Sequence, residues 1–141
     1  MQVQFVLLPL FVQVALTFAM LFWMARSRVH AVKSKQVKMA DVALGQLNWP
    51  TKVQQISNSY HSQLQLPVLF YVLTVLAIIT RQADLLFVVL AWMFVLTRLV
   101  HAYIHASSNH VPRRFNAFAA GVFILLAMWI VFAAHILIGA P

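Results

Sequence analysis

The chain has 141 residues, 63% of them hydrophobic and only 9% charged, against the roughly 25% charged residues of soluble domains. A soluble chain of this size has no way to hide so much apolar surface, so the composition excludes a soluble domain and predicts an all-α integral membrane protein. There is no cysteine and no glutamate, which excludes disulfides, thiolate catalysis by the chain itself, Cys-based metal sites and paired-carboxylate chemistry.

Four stretches are long enough to span a bilayer and predict one four-helix membrane domain over residues 1–141. Helix 1 is expected at about 5–25. Its first charge is Arg26, so no basic segment precedes the apolar run and the helix reads as retained, not as a cleaved signal. A basic loop, partly helical and with Asn48-Trp49-Pro50 as a turn, is expected over 26–57, carrying six basic residues and one acid, Asp41. Such a loop suits anionic headgroups and makes membrane lipid an expected partner. Helix 2 is expected at about 58–80, where Pro67 implies a local kink or a freed carbonyl. The link Arg81-Gln82-Ala83-Asp84 leaves room only for a tight turn, so helix 3, at about 85–107, should form an antiparallel hairpin with helix 2. Helix 4 is expected at about 115–139, where Ala117 and Gly121 give a small-xxx-small spacing for close packing.

Charge sets the expected orientation. Arg113 and Arg114 add to the loop between helices 3 and 4, whereas the opposite ends carry only Arg81, offset by Asp84. The positive-inside rule then places loops 1 and 3 in the cytoplasm and both termini outside. Charges laid out as topology signals do not make a nucleic-acid-binding face.

Two polar stripes stand out. On helix 3, Arg98, His101 and His105 fall at i, i+3 and i+7; on helix 2, Asn58, His61, Ser62 and Gln65 fall at i, i+3, i+4 and i+7. Each spacing is one helix face. Both stripes occupy the same half of the membrane, where Arg26 and Arg28 end helix 1 and Arg113 and Arg114 begin helix 4. At ~1.5 Å per residue Arg98 lies ~20 Å into its helix, inside a ~30 Å hydrocarbon core. Polar groups at that depth are costly facing lipid, so the stripes are expected to share a basic chamber free of carboxylates and suited to an anion. Gln13 and Thr17, at i and i+4 on helix 1, are expected to make interhelical hydrogen bonds.

The segments "LPVLFYVL", "TRLVHAYIH" and "RRF", in this order, resemble the membrane-associated proteins in eicosanoid and glutathione metabolism, the MAPEG family, and look closest to its small bacterial members. The resemblance implies a homotrimer in a bacterial inner membrane, with glutathione held near the cytoplasmic side by arginines that also stabilise its thiolate. Nearby positive charge lowers a thiol pKa, and arginine forks suit carboxylates. Carried over, Arg98 and Arg114 would be catalytic. Arg26, Arg28, His61, Ser62, Gln65, His101, His105 and Arg113 would join them in binding glutathione. No metal ligand is implied. Helix 2 departs from the family pattern, roughly Arg-x-x-x-Asn-x-x-Glu, by carrying Asn58, Ser62 and Gln65. Gln65 cannot make the charge-assisted bond of a carboxylate and Ser62 is too short, so glutathione should bind more weakly than in a typical member.

Three functions stay open on the sequence. The first is a glutathione transferase or peroxidase acting on a lipophilic electrophile. The second is a non-catalytic structural or lipid-binding subunit of a larger membrane complex. The third is a haem or metal site built on His101 and His105, which lie at i, i+4, with His61 opposite.

Overall fold

The computed structural model describes residues 2–45 and 48–139; Gln46 and Leu47, within the expected basic loop, lie outside the described residues. Six helices follow in order: α1 Val3–Lys33, α2 Met39–Val42, α3 Thr51–Ser62, α4 Leu66–Ile79, α5 Leu85–Ala106 and α6 Val111–Ile138. No strand occurs among the described residues. Four segments are long and apolar enough to cross a membrane: α1, α3 with α4, α5 and α6. The protein is a multi-pass membrane helical bundle.

Both ends of the expected loop over 26–57 are helical: α1 runs on to Lys33 and α3 begins at Thr51. At ~1.5 Å per residue the 31 residues of α1 reach ~46 Å, well beyond a ~30 Å core, so the helix runs through Arg26 and Arg28 and carries them past the hydrocarbon. It stops where Lys35 takes a left-handed φ of 62°. There the Gln36 amide donates to the Ala31 carbonyl at 3.0 Å and the Lys35 amide to Val32 at 3.2 Å, the two bonds of a Schellman cap.

Of the two outcomes expected at Pro67 the span takes the freed carbonyl, as a full break between Ser62 and Leu66. Pro67 has no N–H, and its ring would strike the carbonyl of Gln63 in a continuous helix. The chain accordingly closes α3 with i→i+3 bonds, from Gln63 to Tyr60 (2.9 Å), Leu64 to His61 (3.0 Å) and Gln65 to Ser62 (3.4 Å). It restarts at Leu66 with proline in the first turn, where a missing N–H is harmless.

Arg81, at a left-handed φ of 58°, caps α4 in the same way as Lys35 caps α1, and Asp84 accepts from the Phe87 amide at 2.9 Å to start α5. The turn is tight, as expected, but α4 and α5 are not close neighbours along their length. The α5 backbone packs on α6, α1 and α3, and that of α4 on α1 and α6. The Phe70 and Phe94 rings, 5.0 Å apart, fill the space between them. Phe70, Leu73, Ala77, Phe87, Ala91, Phe94, Leu125 and Met128 form the main core, in the half of the bundle away from the basic residues. A second cluster of Met20, Met24, Ile56 and Ala106 closes the basic end.

Gly121 on α6 meets α5 so closely that a Cβ there would lie 2.9 Å from Thr97 Oγ1. Gly121→Ala should therefore destabilise the detergent-solubilised protein by about 1–3 kcal/mol, read from thermal unfolding by circular dichroism. Combined with Thr97→Ala the loss should be smaller than the sum of the two single losses; simple additivity would rule out the close approach as its cause.

Candidate functional site

Arg98 is the most deeply buried cation of the protein, 1% exposed. Its Nη2 donates to both the carbonyl and the hydroxyl of Ser62, each at 3.0 Å. Ser62 is the last residue of α3, so the guanidinium sits on the negative end of that helix's dipole and satisfies a carbonyl freed by the break. The Ser62 hydroxyl donates to the Ser59 carbonyl at 2.8 Å and accepts from Gln63 Nε2 at 3.2 Å as well as from Arg98. Its hydrogen-bonding capacity is thus fully used. Gln63 is itself buried; its Nε2 also donates to Ser59 O, and its Oε1 accepts from Gln13 Nε2 at 3.0 Å. The result is a polar network from α1 through the break to α5. Gln13 makes the interhelical bond expected of it, and Thr17, whose hydroxyl donates to the Gln13 carbonyl of its own helix, also meets the Tyr71 hydroxyl of α4.

In front of this network lies an open chamber of about 520 Å³, lined by Asn58, His61, Ser62, Gln65, His101, His105 and Arg114 together with apolar Val111, Phe115 and Phe118. Both stripes reach it, and no carboxylate lines it. The His61 Nδ1–H donates to the Ser57 carbonyl at 2.7 Å, which leaves Nε2 as the ring nitrogen without that bond. His101, 4% exposed, meets His105 edge-on at 5.4 Å and Phe118 at 5.9 Å. The buried Nδ1 atoms of His101 and His105 have no hydrogen-bond partner. Arg114 donates through Nη1 to Asn109 Oδ1 at 2.6 Å and stands in the first turn of α6, where the helix dipole adds positive potential.

The MAPEG family model matches residues 6–134. The chain belongs to the MAPEG family. No curated protein and no solved structure matches it significantly. Every residue of both polar stripes lies inside the matched span, as do all five arginines expected to bind glutathione.

Within this MAPEG chain the sequence-derived candidates separate into three groups. His61, Ser62, Gln65, His101, His105 and Arg114 line the chamber. Arg98 stands behind its wall, bonded to Ser62 rather than facing the space. Arg26, Arg28 and Arg113 do not line it: Arg26 and Arg113 are exposed, and Arg28 donates to Ser57 Oγ at 2.8 Å with its Cζ 5.0 Å from the Trp49 ring centre. For Arg26 and Arg28 the cause is α1, whose helix continues through both of them. Among the described residues no group of three or more His, Asp or Glu is placed to hold a metal ion. Gln63 and Asn109 escaped the sequence reading. The signal for Gln63 was its position four residues before Pro67, where a helix must open.

The two arginines with chamber connections should differ in stability. Arg98→Ala removes charged bonds to a buried carbonyl and hydroxyl and should lower unfolding free energy by about 2–3 kcal/mol. Arg114→Ala breaks a partly exposed bond and should cost about 1 kcal/mol or less. Thermal unfolding of both variants in one detergent checks this; equal losses would contradict the assignment of Arg98 to the helix break.

Proposed function

We propose that the chamber binds glutathione and that the protein is a transferase or peroxidase acting on a lipophilic electrophile. The carrying observation is a cationic cavity without carboxylates, at membrane depth, in a chain of this family. Its 520 Å³ falls within the range of small-ligand sites. Arg114 with the N-terminal end of α6 would take a carboxylate, and His61, His101 and His105 offer ring nitrogens, two of them otherwise unpartnered. Asn58 and Gln65 match peptide amides, and for the ammonium group only their amide oxygens are available. The residues fit the tripeptide in part, with weak places at the ammonium and at the second carboxylate. Glutathione would supply the sulfur nucleophile that this cysteine-free chain lacks.

Of the two arginines expected to act on the thiol, Arg114 is the one on the chamber wall and is the proposed stabiliser of thiolate charge. Arg98 would act at one remove, by fixing Ser62 and the break. Val111, Phe115 and Phe118 give the acceptor substrate an apolar approach. In this reading the chamber lies on the cytoplasmic side of a bacterial inner membrane, and a homotrimer covers the exposed polar positions Asn58, His61 and Gln65. A second reading, a non-catalytic structural or lipid-binding subunit of a larger membrane complex, is favoured by one observation: Arg98 bonds the α3 terminus through Nη2 instead of lining the chamber.

Thermal unfolding across a glutathione titration separates the two readings. A ligand specific for the native state gives a saturable rise in Tm. The transferase reading expects that rise at millimolar glutathione, with affinity reduced roughly tenfold or more in Arg114→Ala. No rise in the wild type favours the structural subunit.

A further inference from the structure

A second site lies beyond the chamber, where α1 leaves the membrane. Trp49 stands between two depressions that share it and Arg28. On one side is a polar hollow of about 410 Å³, with Gln54 and Ser57 in its wall. On the other is an apolar groove of about 320 Å³ formed by Val29, Val32 and Met39 beside Lys33. The Arg28 guanidinium is held on the Trp49 face and on Ser57, and its Nε is buried with no partner. No carboxylate lines either depression. Gln54 Oε1, in the same polar hollow, is likewise buried without a partner, an acceptor waiting for a donor. An anion with a hydroxyl beside it would satisfy both atoms at once.

The surroundings decide the source of that anion. Lys33, Lys35 and Lys38 follow α1 out of the membrane, a basic cluster of the kind anionic leaflets attract. Met39 is 72% exposed and Val29 52%, apolar surface next to charge, as at a bilayer interface. Trp49 is amphipathic and suited to the headgroup level. A free phosphate would use the polar hollow and leave the groove open to water; a phospholipid would fill both.

We infer that the Arg28–Trp49 hollow and its adjoining groove hold one anionic phospholipid with a hydroxyl-bearing headgroup, the phosphate on Arg28 and apolar chain in the groove. The site is independent of glutathione binding, although Asn58 and His61 border both cavities, so the test reads Arg28 and Gln54, which line only this one.

The experiment is thermal unfolding of the purified full chain in detergent with added phosphatidylglycerol, phosphatidylcholine or inorganic phosphate. Phosphatidylglycerol should raise Tm saturably and the other two should not. Arg28→Gln should weaken the phosphatidylglycerol effect roughly fivefold, the worth of one basic group at an anionic surface. Gln54→Leu, which keeps every cation, should weaken it in the same direction and carries the test if Arg28→Gln does not fold. Equal shifts with phosphatidylcholine, or an undiminished shift in both variants, would overturn the site. A shift reproduced by phosphate alone would overturn the lipid as its occupant.

Discussion

The bond between Arg98 and Ser62 is the constraint on which the basic half of this protein depends. A proline inside a membrane span frees backbone groups that lipid cannot satisfy, and non-helical backbone at that depth persists only where protein or a water-filled cavity covers it. Here α3 ends at Ser62 and α4 starts at Leu66, and the exposed carbonyl end receives a guanidinium from the neighbouring helix. The charge that would be most costly in hydrocarbon meets the backbone that most needs a donor. Gln13 and Gln63 extend the same solution to α1, so side chains tie three helices at one level.

This arrangement divides the cations by task. Arg98 is committed to structure, and its neighbour Ser62, although on the chamber wall, has no hydrogen-bonding capacity left for a ligand. On the proposed reading, what remains for recognition is Arg114, the first turn of α6, the imidazoles and the amides of Asn58 and Gln65. With no carboxylate among them, the field in the chamber has one sign. The break itself is held by glutamine, serine and arginine, with no carboxylate taking part.

Much of this was legible in the sequence, because membrane physics leaves few options. Four apolar runs fixed the spans, i+3 and i+4 spacing placed both stripes on a common chamber, and Gly121 marked the close α5–α6 approach. What was not legible depended on through-space detail. Helical periodicity cannot distinguish a kink at Pro67 from a break, and only the break turns Arg98 from a chamber residue into a cap. The extension of α1 was hidden because charge was taken as its end, although a helix can carry charges past the hydrocarbon. The weak packing of α4 on α5 follows from where Phe70 and Phe94 sit, which a short connecting turn does not reveal.

The most direct test of the central claim is hydrogen–deuterium exchange, followed by mass spectrometry, over the segment from Tyr60 to Tyr71. If Arg98 holds the break closed, Arg98→Ala should accelerate exchange of the amides at 63–66 while leaving α6 unaffected, and Arg114→Ala should leave the segment at wild-type rates. Unchanged exchange at the break in Arg98→Ala would contradict the account.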